Sequence, residues 1–136
     1  FSYQSSCLTA IPNIPTGKEI SPALLSIHAE YDYYPLPTNE ITIFVTNKSS
    51  KEYTCGDEYS IAYYNGKNKS WESLPVNPIR EDMLWIISSY QSNRMQTIHI
   101  YTDITPNRPG KYRIYKSFNN NTEVAFAEFE MVDNKV

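Results

Sequence analysis

The stretch RPGKYRIYKSF, residues 108–118, is the part of the sequence that decides the fold. It opens with the turn dipeptide Pro109-Gly110 and continues as an alternation of aromatic, basic and aliphatic residues. Turn residues placed directly before an alternating run are typical of a β-strand that starts at a tight corner. Glycine lets such a corner turn without a side-chain clash. The alternation that follows Gly110 places Tyr112 and Ile114 on the same face of this strand.

The same alternation recurs along much of the chain. Apolar and polar residues alternate in 25–32 and 96–101, with the period of a strand that is buried on one face. Ile41, Ile43 and Val45 likewise share one face, and the turn residues Asn47–Ser50 follow them. Asn65-Gly66 predicts a hairpin because both residues tolerate positive φ. Residues 111–118 and 123–132 predict a final hairpin. No long amphipathic helix or βαβ alternation is visible, so the sequence predicts an all-β sandwich of about seven to eight strands.

Two segments leave their local structure open. The run MLWII, residues 83–87, fits either a short buried strand or one helical turn, because its length does not discriminate between them. In the last strand, Val124 and Phe126 are out of phase with Ala127 and the apolar residues that follow it. A β-bulge near Ala127 would reconcile the two sets.

The length of 136 residues fits one domain with a core of ordinary size. Residues 1–22 predict an irregular N-terminal arm, because Pro12, Pro15 and Pro22 oppose regular structure. Residues 23–136 are then the β-sandwich domain. The formal charge of −3 gives no electrostatic footprint for nucleic acid. No apolar run approaches the roughly 20 residues that span a bilayer, so no transmembrane segment is predicted.

The two cysteines, Cys7 and Cys55, allow three interpretations. In an exported protein they can pair as a disulfide, which would stabilise the fold by roughly 4 kcal/mol on the chain-entropy estimate. They can equally be two unrelated free thiols. Cys7 as a lipidation site is the least supported, because no aliphatic residue stands in the preceding Tyr3–Ser6. A lipid anchor upstream of the chain stays open.

Taken as an ordered set, these stretches resemble the bacterial immunoglobulin-like domains of exported proteins and lipoproteins. The resemblance covers roughly residues 24–132 and is carried by YYPLPTNEITIFVTNKSSKEYTCGDEY, IAYYNGKNKSWESLP, RPGKYRIYKSF and AFAEFEMV. It implies an immunoglobulin-like antiparallel β-sandwich in which Gly110 and Tyr112 form a tyrosine corner. An Asp often precedes that Gly by two residues, whereas this chain has Arg108. The resemblance also implies an extracytoplasmic location: periplasm, cell surface or secreted.

No constellation of residues points to catalysis, and the family has no common catalytic residue. His28 and His99 fall on the polar faces of predicted strands, without carboxylates or thiolates at ligand spacing. The acidic pairs Asp57-Glu58 and Glu81-Asp82 offer too few oxygens for a dedicated calcium loop. We therefore predict no catalytic residue, no metal site and no cofactor.

Aromatic residues are the feature with functional potential, since the chain has 12 Tyr, 5 Phe and 2 Trp. Neighbouring residues in a strand point to opposite faces, so one ring of Tyr33-Tyr34 and one of Tyr63-Tyr64 is expected outside. These four tyrosines and Trp85 are the candidate binding residues. Trp71 is predicted to pack between the sheets as a structural residue.

The sequence therefore predicts a noncatalytic extracytoplasmic module with an interaction or structural role, whose partner is an unknown protein or carbohydrate. A carbohydrate-binding module that uses exposed Tyr and Trp is the alternative, because recognition surfaces favour rigid aromatic rings. The oligomeric state stays open.

Overall fold

The computed structural model describes residues 14–15, 17–76, 84–100 and 107–133. These residues form eleven β-strands. Among them there is no helical segment with the length and hydropathy that a bilayer crossing requires. In chain order the strands are β1 (Lys18–Glu19), β2 (Leu25–Ala29), β3 (Tyr33–Pro35), β4 (Glu40–Asn47), β5 (Tyr53–Cys55), β6 (Ser60–Asn65), β7 (Ser70–Leu74), β8 (Trp85–Ile87), β9 (Ser92–His99), β10 (Gly110–Phe118) and β11 (Glu123–Val132).

The strands form two main sheets and a ribbon. The six-stranded sheet has the order β1-β11-β10-β6-β7, and β3 also pairs with β11. The three-stranded sheet has the order β2-β4-β9, and β5 pairs with β8 as a separate two-stranded ribbon. Alternate residues of the two main sheets share one core: Ile41, Ile43 and Val45 of β4 lie in the same buried cluster as Tyr112 and Ile114 of β10. The all-β immunoglobulin-like sandwich is confirmed.

Two edge strands depart from the predicted antiparallel pattern and raise the number of strands. β1 and β3 both pair parallel with β11, at opposite ends of its free edge. Strands of two or three residues are too short for alternation to reveal them. β1 also lies within the predicted arm, and the Ile20 side chain that follows it is buried in the main core. The structured part of the chain therefore begins before residue 23.

The β6–β7 hairpin is present but is not the two-residue turn that Asn65-Gly66 predicts. Asn65 pairs with Ser70, so the loop has four residues, and the positive φ of 55° is at Lys69. Instead of a left-handed backbone, Asn65 supplies its side chain: its Oδ1 accepts hydrogen bonds from the backbone N–H groups of Lys67 and Asn68. Asparagine thus organises this turn through its side-chain oxygen.

The predicted bulge near Ala127 is absent. β10 and β11 pair residue by residue from Gly110↔Met131 to Phe118↔Glu123 without a register shift. Val124 and Phe126 are instead on the opposite face from Ala127 and pack in a second cluster. A strand with apolar residues on both faces explains the two phases without any irregularity. The register shift that does occur lies between Ile43 and Phe44, where β4 pairs with β9.

The MLWII run resolves as a strand over its described residues, because Trp85–Ile87 pairs with β5. Two buried polar side chains attach the surrounding loops to the sandwich. Asn47 donates from Nδ2 to the carbonyl oxygens of Lys51 and Ser88, at 2.8 and 3.1 Å. Lys116, 1% exposed, donates from Nζ to the carbonyls of Gly56 and Glu58 and to Gln96 Oε1, at 2.7, 2.9 and 2.6 Å.

Candidate functional site

The face of the six-stranded sheet that points away from the main core, here called the outer face, carries the candidate site. Its residues follow from the registers of four neighbouring strands. Tyr64 lies opposite Trp71, Lys111 opposite Glu130, and Arg113 opposite Glu128. β3 extends the Lys111 row, since Tyr33 lies opposite Glu130 on the other side of β11. The outer face thus presents ordered cross-strand rows of aromatic and charged side chains.

Arg113 is the centre of an aromatic–arginine cluster on this face. Its guanidinium carbon lies 4.2 Å from the ring centroid of Trp71 and 4.2 Å from that of Phe126, so the cation is placed between two rings. Its Nε donates to Glu128 Oε2 at 2.7 Å, and its Nη1 donates to the Tyr115 hydroxyl at 3.2 Å. Cation–π contacts and a charge-assisted hydrogen bond together fix this side chain. The members of the cluster are Tyr64, Trp71, Arg113, Tyr115 and Phe126.

Charges of opposite sign stand in two neighbouring columns on the same face. β10 contributes Lys111 and Arg113, and β11 contributes Glu130 and Glu128 directly opposite them. We call these four residues the charge block. Arg113 and Glu128 form an ion pair whose side chains are 25% and 43% exposed. The outer face therefore combines packed aromatic rings with paired charges of opposite sign.

Tyr33 and Tyr34 are separated as the alternation requires. Tyr33 is 64% exposed and lies at the edge of the outer face. Tyr34 is only 7% exposed, because its ring packs edge-on against Phe129 in the main core. Its hydroxyl accepts the Tyr31 backbone N–H at 3.1 Å. Tyr34 is therefore a core residue and not an exposed contact.

Tyr63 and Tyr64 likewise point to opposite faces, and both are half-buried. Tyr64 lies on the outer face, with its ring centroid 5.1 Å from that of Trp71. Tyr63 packs against Tyr112 on the core side, and its hydroxyl donates to the Pro109 carbonyl at 2.8 Å. Of this pair, Tyr64 is the one that the fold places on the candidate site.

Trp71 and Trp85 lie in surroundings opposite to those that the sequence predicts. Trp71 does not pack between the sheets: it lies on the outer face, because its partner in the register is Tyr64 and not a core residue. Trp85 packs against the main core from β8, and its indole Nε1 is buried without a hydrogen-bond partner among the described residues. Trp85 therefore supports the interior of the sandwich.

The corner before β10 shows how this chain accommodates Arg108 at the position where the family often has Asp. The Tyr112 hydroxyl donates to the Arg108 carbonyl at 2.7 Å and accepts the Arg108 N–H at 2.9 Å. The side chain of Arg108 lies 3.9 Å above the Tyr63 ring and pairs with Glu72 at 3.2 Å. At Gly110, φ is +134° and an added Cβ would approach the Tyr63 ring at 3.2 Å, so glycine is required there.

The described residues offer little to a catalytic or metal-dependent reaction. They contain no group of three or more His, Cys, Asp and Glu side chains able to hold a metal ion. Cys55 is buried, and desolvation raises the pKa of its thiol, against the opposing charge of Lys116. A thiol in such surroundings is a poor nucleophile. Cys7 lies outside the described residues, so its pairing with Cys55 stays a prediction.

Sequence reasoning missed Arg113, Phe126 and Glu128 as parts of the site. The available signal was the phase of Val124 and Phe126, which marks a second apolar face on β11. A further signal was the charge pattern: basic residues at 111 and 113 and acidic ones at 128 and 130 share one parity on strands predicted to pair.

Comparison with known proteins identifies a family. No curated protein matches the sequence. Among solved structures, the chain is similar to the alkylpurine DNA glycosylase AlkC of Pseudomonas fluorescens bound to DNA containing an abasic site analog, with 15% identity and a TM-score of 0.42. The likeness covers 81% of this chain but only 31% of that protein. A family model described as "Bacterial Ig-like domain" matches residues 21–130. The chain, with its two-sheet sandwich and tyrosine corner, belongs to the bacterial immunoglobulin-like domain family.

Proposed function

We propose that this chain is a noncatalytic module that works outside the cytoplasm and contacts a protein partner through its outer face. The observation that carries the proposal is the aromatic–arginine cluster. Its rings and its guanidinium are held by one another and by Glu128 while the surface stays partly accessible. Side chains that are already ordered lose little entropy on binding, and Trp, Tyr and Arg dominate the energetics of protein interfaces.

The absence of catalysis is part of this proposal and is supported by the surroundings of the reactive groups. Cys55 is enclosed in the core. His28 stacks on Phe44 with the rings inclined by 15°, and His99 lies 3.7 Å from Glu40 at the exposed end of another strand. Nucleophilic catalysis needs a nucleophile and a base within hydrogen-bond reach of each other.

The extracytoplasmic location is supported by the family, and fractionation of the producing bacterium tests it. The chain should be recovered from the periplasm, the envelope or the medium, and surface forms should be degraded by protease added to intact cells. Recovery with cytoplasmic marker proteins would contradict the proposed location.

Site-specific photocrosslinking tests the contact surface. A photoreactive amino acid replaces Tyr33 on the outer face in one variant and Thr46 in another. Thr46 is the matched control because it lies on β4, outside the six-stranded sheet, and is likewise a solvent-facing strand residue. The crosslinked protein is identified by mass spectrometry and purified, and its affinity is measured against the wild type and Trp71→Ala. Equal crosslinking from both positions, or unchanged affinity for Trp71→Ala, would contradict the proposed surface.

A carbohydrate-binding module is the second candidate. It is favoured by Tyr31 and Tyr33, two residues apart and 60% and 64% exposed. Such rings can stack on sugar faces. A polysaccharide panel in affinity electrophoresis should retard the wild type, and Tyr33→Ala should abolish the retardation. Tyr90→Ala is the control, because Tyr90 is equally exposed but lies at the turn before β9. Absence of retardation by every polysaccharide would count against this candidate.

A further inference from the structure

We propose that the outer face is self-complementary and that its partner is a second copy of this chain, in a face-to-face two-fold dimer. This inference deepens the proposed function, on which it rests, by naming the partner. The evidence is the arrangement of the charge block, in which a basic column on β10 adjoins an acidic column on β11.

The basic and acidic columns favour one orientation of the two-fold axis over the other. A two-fold axis that runs along the strands, above the line between β10 and β11, places β10 of each copy over β11 of the other. Lys111 then meets Glu130 of the second copy, and Arg113 meets Glu128 of the second copy. An axis perpendicular to the strands would place Lys111 on Lys111 and Glu130 on Glu130. Complementary charges favour the first arrangement, and like charges oppose the second.

The same operation accounts for the aromatic residues that flank the charge block. β6 and β3 lie at equal distances on either side of the β10–β11 line, since each is the next strand outward. In the row of Lys111 and Glu130, β3 contributes Tyr33. On β6, Tyr64 lies next to this row, one residue beyond Tyr63, which pairs with Tyr112. The axis along the strands therefore brings Tyr33 of one copy onto Tyr64 of the other, twice. An isologous interface requires this kind of reciprocal match.

The size of the overlapping face indicates a weak, reversible dimer. The axis places four strands, β3, β11, β10 and β6, over one another, because β7 has no counterpart beyond β3. Four strands spaced by about 4.8 Å and three rows of side chains make an area of roughly 400 Å² for each copy. The total of about 800 Å² is below the usual size of a stable interface and in the range of weak, transient contacts. We therefore expect a reversible dimer with a Kd on the order of 10–100 μM, weakened by salt because the charged rows are only partly buried.

Sedimentation velocity of the purified chain tests the dimer directly. At low ionic strength, the mean mass should rise toward that of a dimer between about 1 and 500 μM, the range that brackets the expected Kd. Lys111→Glu and Glu130→Lys, each measured alone, should weaken association at least about tenfold, because each creates like charges across the interface. An equimolar mixture of the two variants should associate again, since the carboxylate introduced at position 111 of one chain then faces the ammonium group introduced at position 130 of the other.

The controls separate association from folding and from the wider proposal. Lys48→Glu, an exposed reversal between β4 and β5, should leave association unchanged. Thermal unfolding by circular dichroism verifies that each variant is folded. A monomer at every concentration, or a mixture that does not associate, would overturn the dimer. If the chain is monomeric while the Tyr33 crosslink identifies a different protein, the self-association fails but the proposed interaction surface stands.

Discussion

Lys116 is a charged residue at a core-facing position of β10, between Ile114 and Phe118 on the inner side of the strand. Burial lowers the pKa of its ammonium group, opposed by the nearby Cys55, Asp57 and Glu58. All three of its hydrogens are used, by two carbonyls of the β5–β6 loop and by Gln96. Lys116 therefore acts as an internal cation that attaches this loop to β9 and β10.

Replacing Lys116 by Met should destabilise the fold by about 2 kcal/mol, because three partly buried acceptors lose their donor. Urea unfolding followed by tryptophan fluorescence should show a lower midpoint with an unchanged slope. Lys48→Met at an exposed site is the control and should change stability by less than about 0.5 kcal/mol. Equal midpoints for the two variants would mean that the loss of the buried charge offsets the lost hydrogen bonds.

The hydroxyl of Tyr112 is the second single group with a large expected effect. Tyr112→Phe removes both hydrogen bonds to the Arg108 backbone while keeping the ring in the core, so we expect a loss of about 1–2 kcal/mol. Tyr90→Phe removes an exposed hydroxyl and should have almost no effect. A Tyr112→Phe variant as stable as the wild type would show that the corner is held by its backbone alone.

The same hydroxyl makes stability depend on alkaline pH. Desolvation raises the pKa of Tyr112 above the ordinary tyrosine value of about 10. Above that pH the unfolded chain loses the phenolic proton while the folded protein keeps it, so stability falls as pH rises. The Tyr112→Phe variant has no phenolic proton at this position, so it does not show this fall in stability. The difference in urea midpoint between wild type and variant should therefore shrink between pH 8 and pH 10.5, and a constant difference would contradict this linkage.

At the scale of an element, the β6–β7 hairpin contains a residue whose backbone suits glycine better. Lys69 has a φ of 55°, a conformation that costs a non-glycine residue about 1–2 kcal/mol. Lys69→Gly should relieve this strain and, after the added freedom of the unfolded chain, stabilise by about 0.5–1 kcal/mol. Lys67→Gly in the same loop lacks positive φ and should destabilise slightly. Thermal unfolding compares them, and the opposite order of melting temperatures would refute the assignment of strain.

Sequence alternation predicted the long strands well because their faces differ in polarity. β4 and β10 follow this rule, with Ile41, Ile43 and Val45 inward and Thr42, Phe44 and Thr46 outward. It located β11 correctly but misread its phase as a bulge, because both faces of this strand carry apolar residues. It did not reveal β1 and β3, whose few residues give no period. The turn at Asn65 was located correctly, but its geometry depended on side-chain hydrogen bonds that a dipeptide rule does not contain.

The candidate site was predictable only in part. Alternation alone requires Tyr33 and Tyr34, and likewise Tyr63 and Tyr64, to separate onto two faces. Which member points outward depends on the register with β11 and β7, and that register is a property of the folded sheet. Trp71 was misplaced for the same reason: a large apolar ring fits a core in general, but here Arg113 covers it on the outer face.

At the scale of the whole molecule, the sandwich has two apolar layers on its six-stranded sheet, one enclosed between the sheets and one on the outer face. Val124 and Tyr115 are buried in the second layer, to which Ile14 also contributes. The residues before β2 therefore contact both layers, since Ile20 is in the main core. We therefore propose that the folded unit begins before residue 23.

Two truncated chains measure how much the segment before β2 contributes. A chain that begins at Gly17 keeps β1 and Ile20, whereas one that begins at Ala23 loses both. Burial of an isoleucine side chain stabilises by about 1.5–3 kcal/mol, and the pairing of β1 with β11 adds to this. We expect the shorter chain to be about 3 kcal/mol less stable in urea unfolding. Both truncated chains lack Cys7, so a disulfide with Cys55 contributes to neither. Ile20→Ala in the longer chain should reproduce most of the difference, since it removes the core contact and keeps β1. Equal stability of the two truncated chains would return the domain boundary to residue 23.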